Sequence, residues 1–331
     1  MNRRSFLSLS AAAGLASLSR PAIAQARDLK ISEPVRSVGY LPIYVAIREG
    51  YFKKAGLDIT ILTAEQNAAA INAALSGQTF AFLGGPERVA FARAQGGSLR
   101  SVVNCVDRGN VYFLAAKGTS PKDKAEIGAF LKGKRIATGQ RGTSPHSVMR
   151  YILMSKYGLD PDKDVQLKEL PSSAVLAAIK GKLADIAVAS EPAIAQGLGQ
   201  GLWDEPFYNA PKDLGPLAYS VLNVQKSMID KEPQLVTDFV AAAIEGLKTT
   251  LKEPDRARVI AAKEFPSMTP GDLKATLDRT YADNLWSPDG VISRQSWATM
   301  HSVVRTIGIL KTDVPYEEVI DNSFVERLAK R

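Results

Sequence analysis

An α/β protein in two lobes is predicted by three features of the sequence. From Val35 onward, short apolar runs alternate with helix-patterned stretches; the alternation comes in two successive sets; and beyond Val224 the pattern is helical to the end. Strand–helix alternation at this spacing argues for parallel βαβ units. Two such sets and a helical tail argue for two lobes, with the tail packed back on one of them.

The first set opens with "VRSVGYL" (35–41), which reads as a strand. Pro42 starts a helix with Ile43, Ala46 and Ile47 on its apolar side, and Gly50 ends it. Proline just inside the start and glycine just past the end is the expected asymmetry. "LDITILT" (57–63) has the near-continuous apolar character of a strand covered on both faces. "QNAAAINAAL" (66–75) is a helix capped by Gly77, and "TFAFL" (79–83) is a third strand. Gly84–Pro86 turn the chain into a helix from about Glu87 to Ala94, and "RSVVNCV" (100–106) is the fourth strand.

In the second set, "KGKRIATG" gives a strand ending at Gly139, followed by a helix from Pro145 to about Tyr157–Gly158. "DVQLKEL" (164–170) is a strand, "SSAVLAAIKGK" a helix, "ADIAVAS" (184–190) a strand, and "EPAIAQGLGQG" a helix running into a glycine-rich turn. After "LAYSVLNV" (217–224) come four helices: Pro233–Leu251, Asp255–Phe265, Thr269–Tyr281 and Ser293–Ile307.

Residues 1–26 stand apart from this pattern. They combine a basic start, a mildly apolar stretch from Leu7 to Leu18, and Ala-x-Ala cleavage candidates at Ala22–Ala24 and Ala24–Ala26. That is the layout of an export signal, too short to span a bilayer. Arg3–Arg4 followed by Phe6 and Leu7 is similar to the twin-arginine signal. Removing Arg3, Arg4 and Arg20, with no acid among the 26, lowers the formal charge of the 331-residue chain from +8 to +5. The remaining cations are dispersed, so no nucleic-acid stripe is expected. The single cysteine, Cys105, rules out an internal disulfide and sits in an apolar run, as a buried small hydrophobe would.

Six blocks then carry a resemblance: "LPIYVAIREGYFKKAGLDITI", "AALSGQTFAFLGG", "LKGKRIATGQRGTS", "YGLDPDKDVQLKEL", "AAIKGKLADIAVASEPA" and "LWSPDGVISRQSW". In this order and spacing, over roughly 30–325, the chain resembles the periplasmic solute-binding proteins of ABC importers for nitrate, sulfonate, taurine and thiamine-precursor pyrimidines. The resemblance implies a two-lobe Venus-flytrap fold with two crossover hinge strands, near Tyr112–Ala116 and Tyr219–Asn223. Lobe one would be 27–113 plus 222–331, and lobe two 114–221. It implies a monomer in the periplasm, a small-molecule ligand, an ABC permease and its ATPase as partners, and no cofactor or metal.

In open parallel sheets, ligands bind beyond the carboxyl ends of the strands, where loops lead into helix N-termini. The candidate ligand residues lie at such places. Tyr40 and Tyr44 follow the first strand, each with an apolar face and a polar tip, although Tyr44 is equally able to pack on its own helix. Gln66, with Asn67, opens a helix and either donates an amide or caps it. Gly84 and Gly85 let the backbone approach a ligand, or simply form a turn. Gly142, Thr143 and Ser144 present donors at a helix start, with Ser144 as expected N-cap and His146 expected at the surface. Arg141 either pairs with an anion or lies in solvent. Glu191 accepts from a ligand donor, caps its helix or holds the hinge; Tyr219 lies on the returning hinge strand. Arg141 favours negative charge in the ligand and Glu191 a donor, a conflict that a zwitterion or a polar heterocycle would resolve.

Enzyme signatures are lacking. The two histidines, His146 and His301, are far apart, no Cys/His cluster has metal-ligand spacing, and neither a Gly-x-Ser-x-Gly elbow nor a phosphate loop occurs. The Cys-rich motif of related eukaryotic pyrimidine synthases is absent as well. The expectation is a binding protein rather than an enzyme. A periplasmic sensing subunit is the alternative role, and an enzyme on this scaffold a less favoured one.

Overall fold

The computed structural model describes residues 26–64 and 67–330. The export-signal reading of residues 1–26 therefore lies almost wholly outside the described residues. Ten strands form two five-stranded sheets, each covered by helices. The first contains β1 (Arg27–Glu33), β2 (Leu57–Thr63), β3 (Ala81–Gly84), β4 (Leu99–Arg108) and β10 (Pro216–Gln225), in the order β2-β1-β3-β10-β4. The second contains β5 (Tyr112–Ala115), β6 (Arg135–Gly139), β7 (Gln166–Leu170), β8 (Ile186–Ala189) and β9 (Tyr208–Asn209), in the order β7-β6-β8-β5-β9.

Pairing is parallel within β2-β1-β3 and β7-β6-β8. The crossover strands break that rule. β10 is antiparallel to both β3 and β4, with Val221 opposite Gly84 and Leu222 opposite Val103, and β5 is antiparallel to β8. A strand arriving from the other lobe is not bound by the right-handed crossover that makes neighbouring strands parallel. The chain changes sheet at Gly109–Val111 and again near Gly215, earlier than the crossovers expected from the sequence, because β5 pairs wholly in the second sheet and β10 wholly in the first.

The first strand lies upstream of its expected place. "VRSVGYL" is a turn and a short 3-10 helix, Val38–Tyr40, in which Ser37 Oγ accepts from the Gly39 N–H at 3.2 Å. The strand is the polar-looking "RDLKISE". Its Leu29 and Ile31 are buried, Ser32 Oγ donates to the Ala70 carbonyl at 2.8 Å, and Glu33 accepts from Tyr44 and Thr63. Hydrogen-bonded polar side chains in a covered strand erase the apolar run that sequence reading relies on. β2 is a sheet edge, not a strand covered on both faces: Leu57 and Ile59 are buried while Asp58 and Thr60 face solvent.

The tail helices fall within about one residue of expectation: Pro233–Lys252, Pro254–Glu264, Pro270–Ala282 and Arg294–Thr306. The first packs along Leu41–Arg48, and Phe239 stacks against Phe52 and Phe80, with centroids 5.4 and 4.9 Å away. Trp286, from the "LWSPDG" block, donates to the Gly39 carbonyl at 3.0 Å and so braces the turn carrying Tyr40. Helix Pro270–Ala282 packs on the second-lobe helix Ala193–Gly199, so the tail touches both lobes. No described helix is long and apolar enough to cross a membrane.

Candidate functional site

Two loops from different lobes meet at the carboxyl ends of β3 and β6. β3 ends at Gly84, and Gly85–Pro86 lead into helix Glu87–Ala94. β6 ends at Gly139, and Gln140–Thr143 lead into helix Ser144–Tyr157. Ser144 Oγ donates to Glu87 Oε1 at 3.1 Å, and the Arg88 guanidinium donates to the Gly142 carbonyl. Arg88 Nε also stands 3.3 Å from Glu87 Oε1. The two lobes thus close on one another at a seam of polar groups.

Glu87 is the centre of this seam. It is 2% exposed. Burial pushes its carboxyl above the usual range, opposed by the Arg88 charge, its own backbone N–H and the Ser144 hydroxyl. A Cβ on residue 85 would fall 1.9 Å from Glu87 Oε2. Only glycine leaves the carboxylate room to fold back over the turn. Tyr40 and Tyr219 adjoin it. Burial raises the pKa of both hydroxyls, and the Glu87 charge raises each further. Tyr40 Oη lies 3.4 Å from Ser220 Oγ on β10.

Among the described residues, Glu87 Oε2 at the seam has no hydrogen-bond partner, and neither do two other buried atoms, Asn110 Oδ1 and Thr138 Oγ1. Asn110 lies where the chain crosses between lobes, its Nδ2 3.9 Å from the Cβ position of Gly39. Thr138 is the penultimate residue of β6 and fully buried. Unmade hydrogen bonds in a buried setting cost about 1–3 kcal/mol each, so such groups call for a partner.

The sequence candidates divide in two. Tyr40, Gly85, Gly142, Ser144 and Tyr219 come to the seam or its edge. Gly84 stays in the sheet, its carbonyl accepting from Asn223 Nδ2 at 3.1 Å. Tyr44 turns away: its hydroxyl donates to Glu33 Oε2 at 2.6 Å, and the Arg36 guanidinium covers its ring at 3.9 Å. The N-cap is Thr143 rather than Ser144, and the Thr143 hydroxyl closes its own turn by donating to the Gln140 carbonyl at 2.8 Å. Ser144 is thereby released to reach across. Arg141 is exposed and faces Glu169, with Nη2 3.2 Å from Oε1. His146 is buried, not at the surface. It shares that Glu169 oxygen at 3.2 Å, and burial lowers its pKa. Gln66 lies outside the described residues.

Glu191 is committed within the protein. Oε1 accepts from Arg279 Nε at 2.8 Å; Oε2 accepts from the Ala195 N–H at 3.0 Å and the Thr276 hydroxyl at 3.1 Å. It therefore caps its helix and ties the second lobe to the tail, with both oxygens engaged within the protein. The carboxylate that stands at the seam is instead Glu87, read from the sequence only as a helix start. A carboxylate directly after a Gly-Gly-Pro turn at a strand's carboxyl end was the available signal. Arg88, Asn110, Thr138 and Ser220 carried none, since each is an ordinary residue until the lobes meet.

Among the described residues, no group of three or more His, Cys, Asp or Glu is arranged to hold a metal.

The comparisons agree with this architecture. The riboflavin-binding protein RibY of Chloroflexus aurantiacus is 26% identical over 308 residues, covering 88% of this chain and 84% of its own. The alkanesulfonate-binding protein SsuA of Xanthomonas axonopodis, solved bound to MOPS, aligns with a TM-score of 0.71 at 18% identity, over 90% of this chain and 99% of its own. The desulfurization enzyme DSZB aligns at 0.67 and 16% identity, over 92% and 99%. Both structures share the fold. Residues 38–257 match the family described as NMT1/THI5 like, and this chain is a member of that family.

Proposed function

We propose that this chain is the exported solute-binding component of an ABC importer. It captures a small polar solute between its lobes and presents the closed form to a membrane permease and its ATPase. The observation that carries this reading is the seam: two lobes touching through Ser144–Glu87 and Arg88–Gly142, with hydrogen bonds to the buried Glu87 Oε2 left unmade among the described residues. A solute that supplies those bonds binds the closed arrangement better than the open one and shifts the population towards it. RibY and SsuA are named for binding riboflavin and alkanesulfonate, and SsuA does so on the same fold. The basic, apolar, Ala-x-Ala leader supports export to the periplasm, and the arginine pair the twin-arginine route.

An enzymatic reading has the DSZB scaffold in its favour. Against it, Cys105 is wholly buried in β4 and burial drives its thiol pKa up, which suits packing and not nucleophilic attack.

A thermal-shift screen of taurine, alkanesulfonates, nitrate, aromatic carboxylates, aminopyrimidines and riboflavin, paired with solution scattering, tests the proposal. A true ligand at 100 times its Kd adds about 2.7 kcal/mol, a rise of roughly 4 °C in Tm, and compacts the molecule. Turnover of a bound solute would replace the binding role with an enzymatic one.

A further inference from the structure

The cleft carries a built-in preference in ligand chemistry, and Glu87 sets it. We infer that the solute presents a hydrogen-bond donor, an amine, amidine or ring N–H, to Glu87 Oε2, and that simple oxyanions such as nitrate or an alkanesulfonate are disfavoured there. The inference rests on the cleft being the binding site.

The argument begins with what the carboxylate lacks. Oε1 is engaged by Ser144 from the facing lobe and approached by Arg88, while Oε2 is buried with no hydrogen-bond partner. An ionised carboxylate accepts only, and a ligand N–H on Oε2 offsets the burial that otherwise favours the protonated form. Of the other two unmatched atoms, Asn110 Oδ1 is an acceptor too, and Thr138 Oγ1 serves in either sense. The two cationic side chains of these loops are engaged: Arg88 with the Gly142 carbonyl and Glu87, and Arg141 with Glu169 outside the seam. An oxyanion placed against Oε2 would meet the Glu87 carboxylate, while the Arg88 cation is already shared between that carboxylate and the Gly142 carbonyl. A ligand N–H would instead complete a charge-assisted bond. The glycine at 85 holds the carboxylate in this pose, since any side chain there would displace Oε2.

Matched ligand pairs that differ by one donor give the test: taurine against ethanesulfonate, 4-aminopyrimidine against 4-methylpyrimidine, riboflavin against 3-methylriboflavin, with nitrate added. Binding is measured by calorimetry on the wild type and on Glu87→Gln, which keeps the volume of the side chain. In at least one pair the donor-bearing member should bind the wild type tenfold or more tightly than its partner. Glu87→Gln should cut that ratio at least fivefold and bind nitrate or ethanesulfonate no more weakly than the wild type does. As a measurement that needs no variant, affinity for the donor-bearing probe should rise as the pH is taken from 4.5 to 7.5, because its N–H favours the ionised carboxyl. Arg88 and Ser144 contact Glu87, and Tyr40 and Tyr219 feel its charge, and none of the four has an ordinary pKa in that window; His146, two residues beyond Ser144 on the facing helix, does, so the series is repeated on His146→Gln. Oxyanions that bind the wild type as tightly as donors, or a ratio untouched by Glu87→Gln, would overturn the inference and leave the binding role standing. If none of these probes binds the wild type, both fall.

Discussion

The two lobes meet through two polar regions that are built on opposite plans. At the tail, Glu191 takes three hydrogen bonds, from Arg279, Thr276 and the Ala195 N–H. Nearby, Asp283 accepts from the Tyr112 hydroxyl at 2.7 Å and from Asn209 at 3.1 Å, with Lys212 at 3.2 Å. Every carboxylate oxygen there is occupied. At the seam, Glu87 is as deeply buried yet keeps one oxygen without a partner. A saturated buried network fixes geometry, while a network left one bond short favours whatever supplies it. Two acidic residues that each lie between a strand and the following helix thus differ: Glu191 fastens the lobe to the tail, while Glu87 keeps one oxygen without a partner among the described residues.

The contrast can be broken first at the tail. Arg279→Ala removes the charge that offsets a buried carboxylate, and about 3 kcal/mol of stability should go with it, read as a fall in the urea midpoint. A loss under 1 kcal/mol would mean that the clamp is less buried than it looks. Asp283→Asn should cost about 2 kcal/mol by orphaning Tyr112 or Asn209. Ser144→Ala should change global stability by less than about 1 kcal/mol, since it weakens one bond at an interface built to part. Its effect belongs to shape, namely a larger mean radius in solution scattering of the ligand-free protein.

The pH dependence sharpens the same contrast. Burial holds the Glu87 proton in the closed state above the usual carboxylate range, and opening returns it to water. Closure without ligand therefore gains most below the ordinary carboxylate pKa and loses that gain as pH rises through the raised value. Scattering radii should grow over that interval in the wild type and stay flat in Glu87→Gln. The smallest effect is at Arg141→Ala: this exposed arginine pairs with Glu169 at the surface and should alter stability by under about 0.5 kcal/mol.

Much of the fold was legible because its signals are local. Helix ends marked by proline and glycine, such as Leu41–Arg48 before Gly50 and Pro233–Lys252, came out within a residue or two. β1 did not, since Ser32 and Glu33 are buried by partners more than ten residues away in sequence, and no window on the chain contains both. The antiparallel placement of β10 between β3 and β4 was hidden for a related reason: a strand returning from another lobe follows no local rule.

The site divides along the same line. The residues themselves fixed that loops at strand carboxyl ends, rich in glycine and hydroxyls, would sit where helices begin, because backbone geometry and unpaired N–H groups act over a few residues. Which carboxylate is tied down and which is left open was settled by tertiary structure alone. Glu191 finds its arginine 88 residues later and Glu87 its serine 57 residues later, and those encounters exist only once two lobes and a tail have packed together.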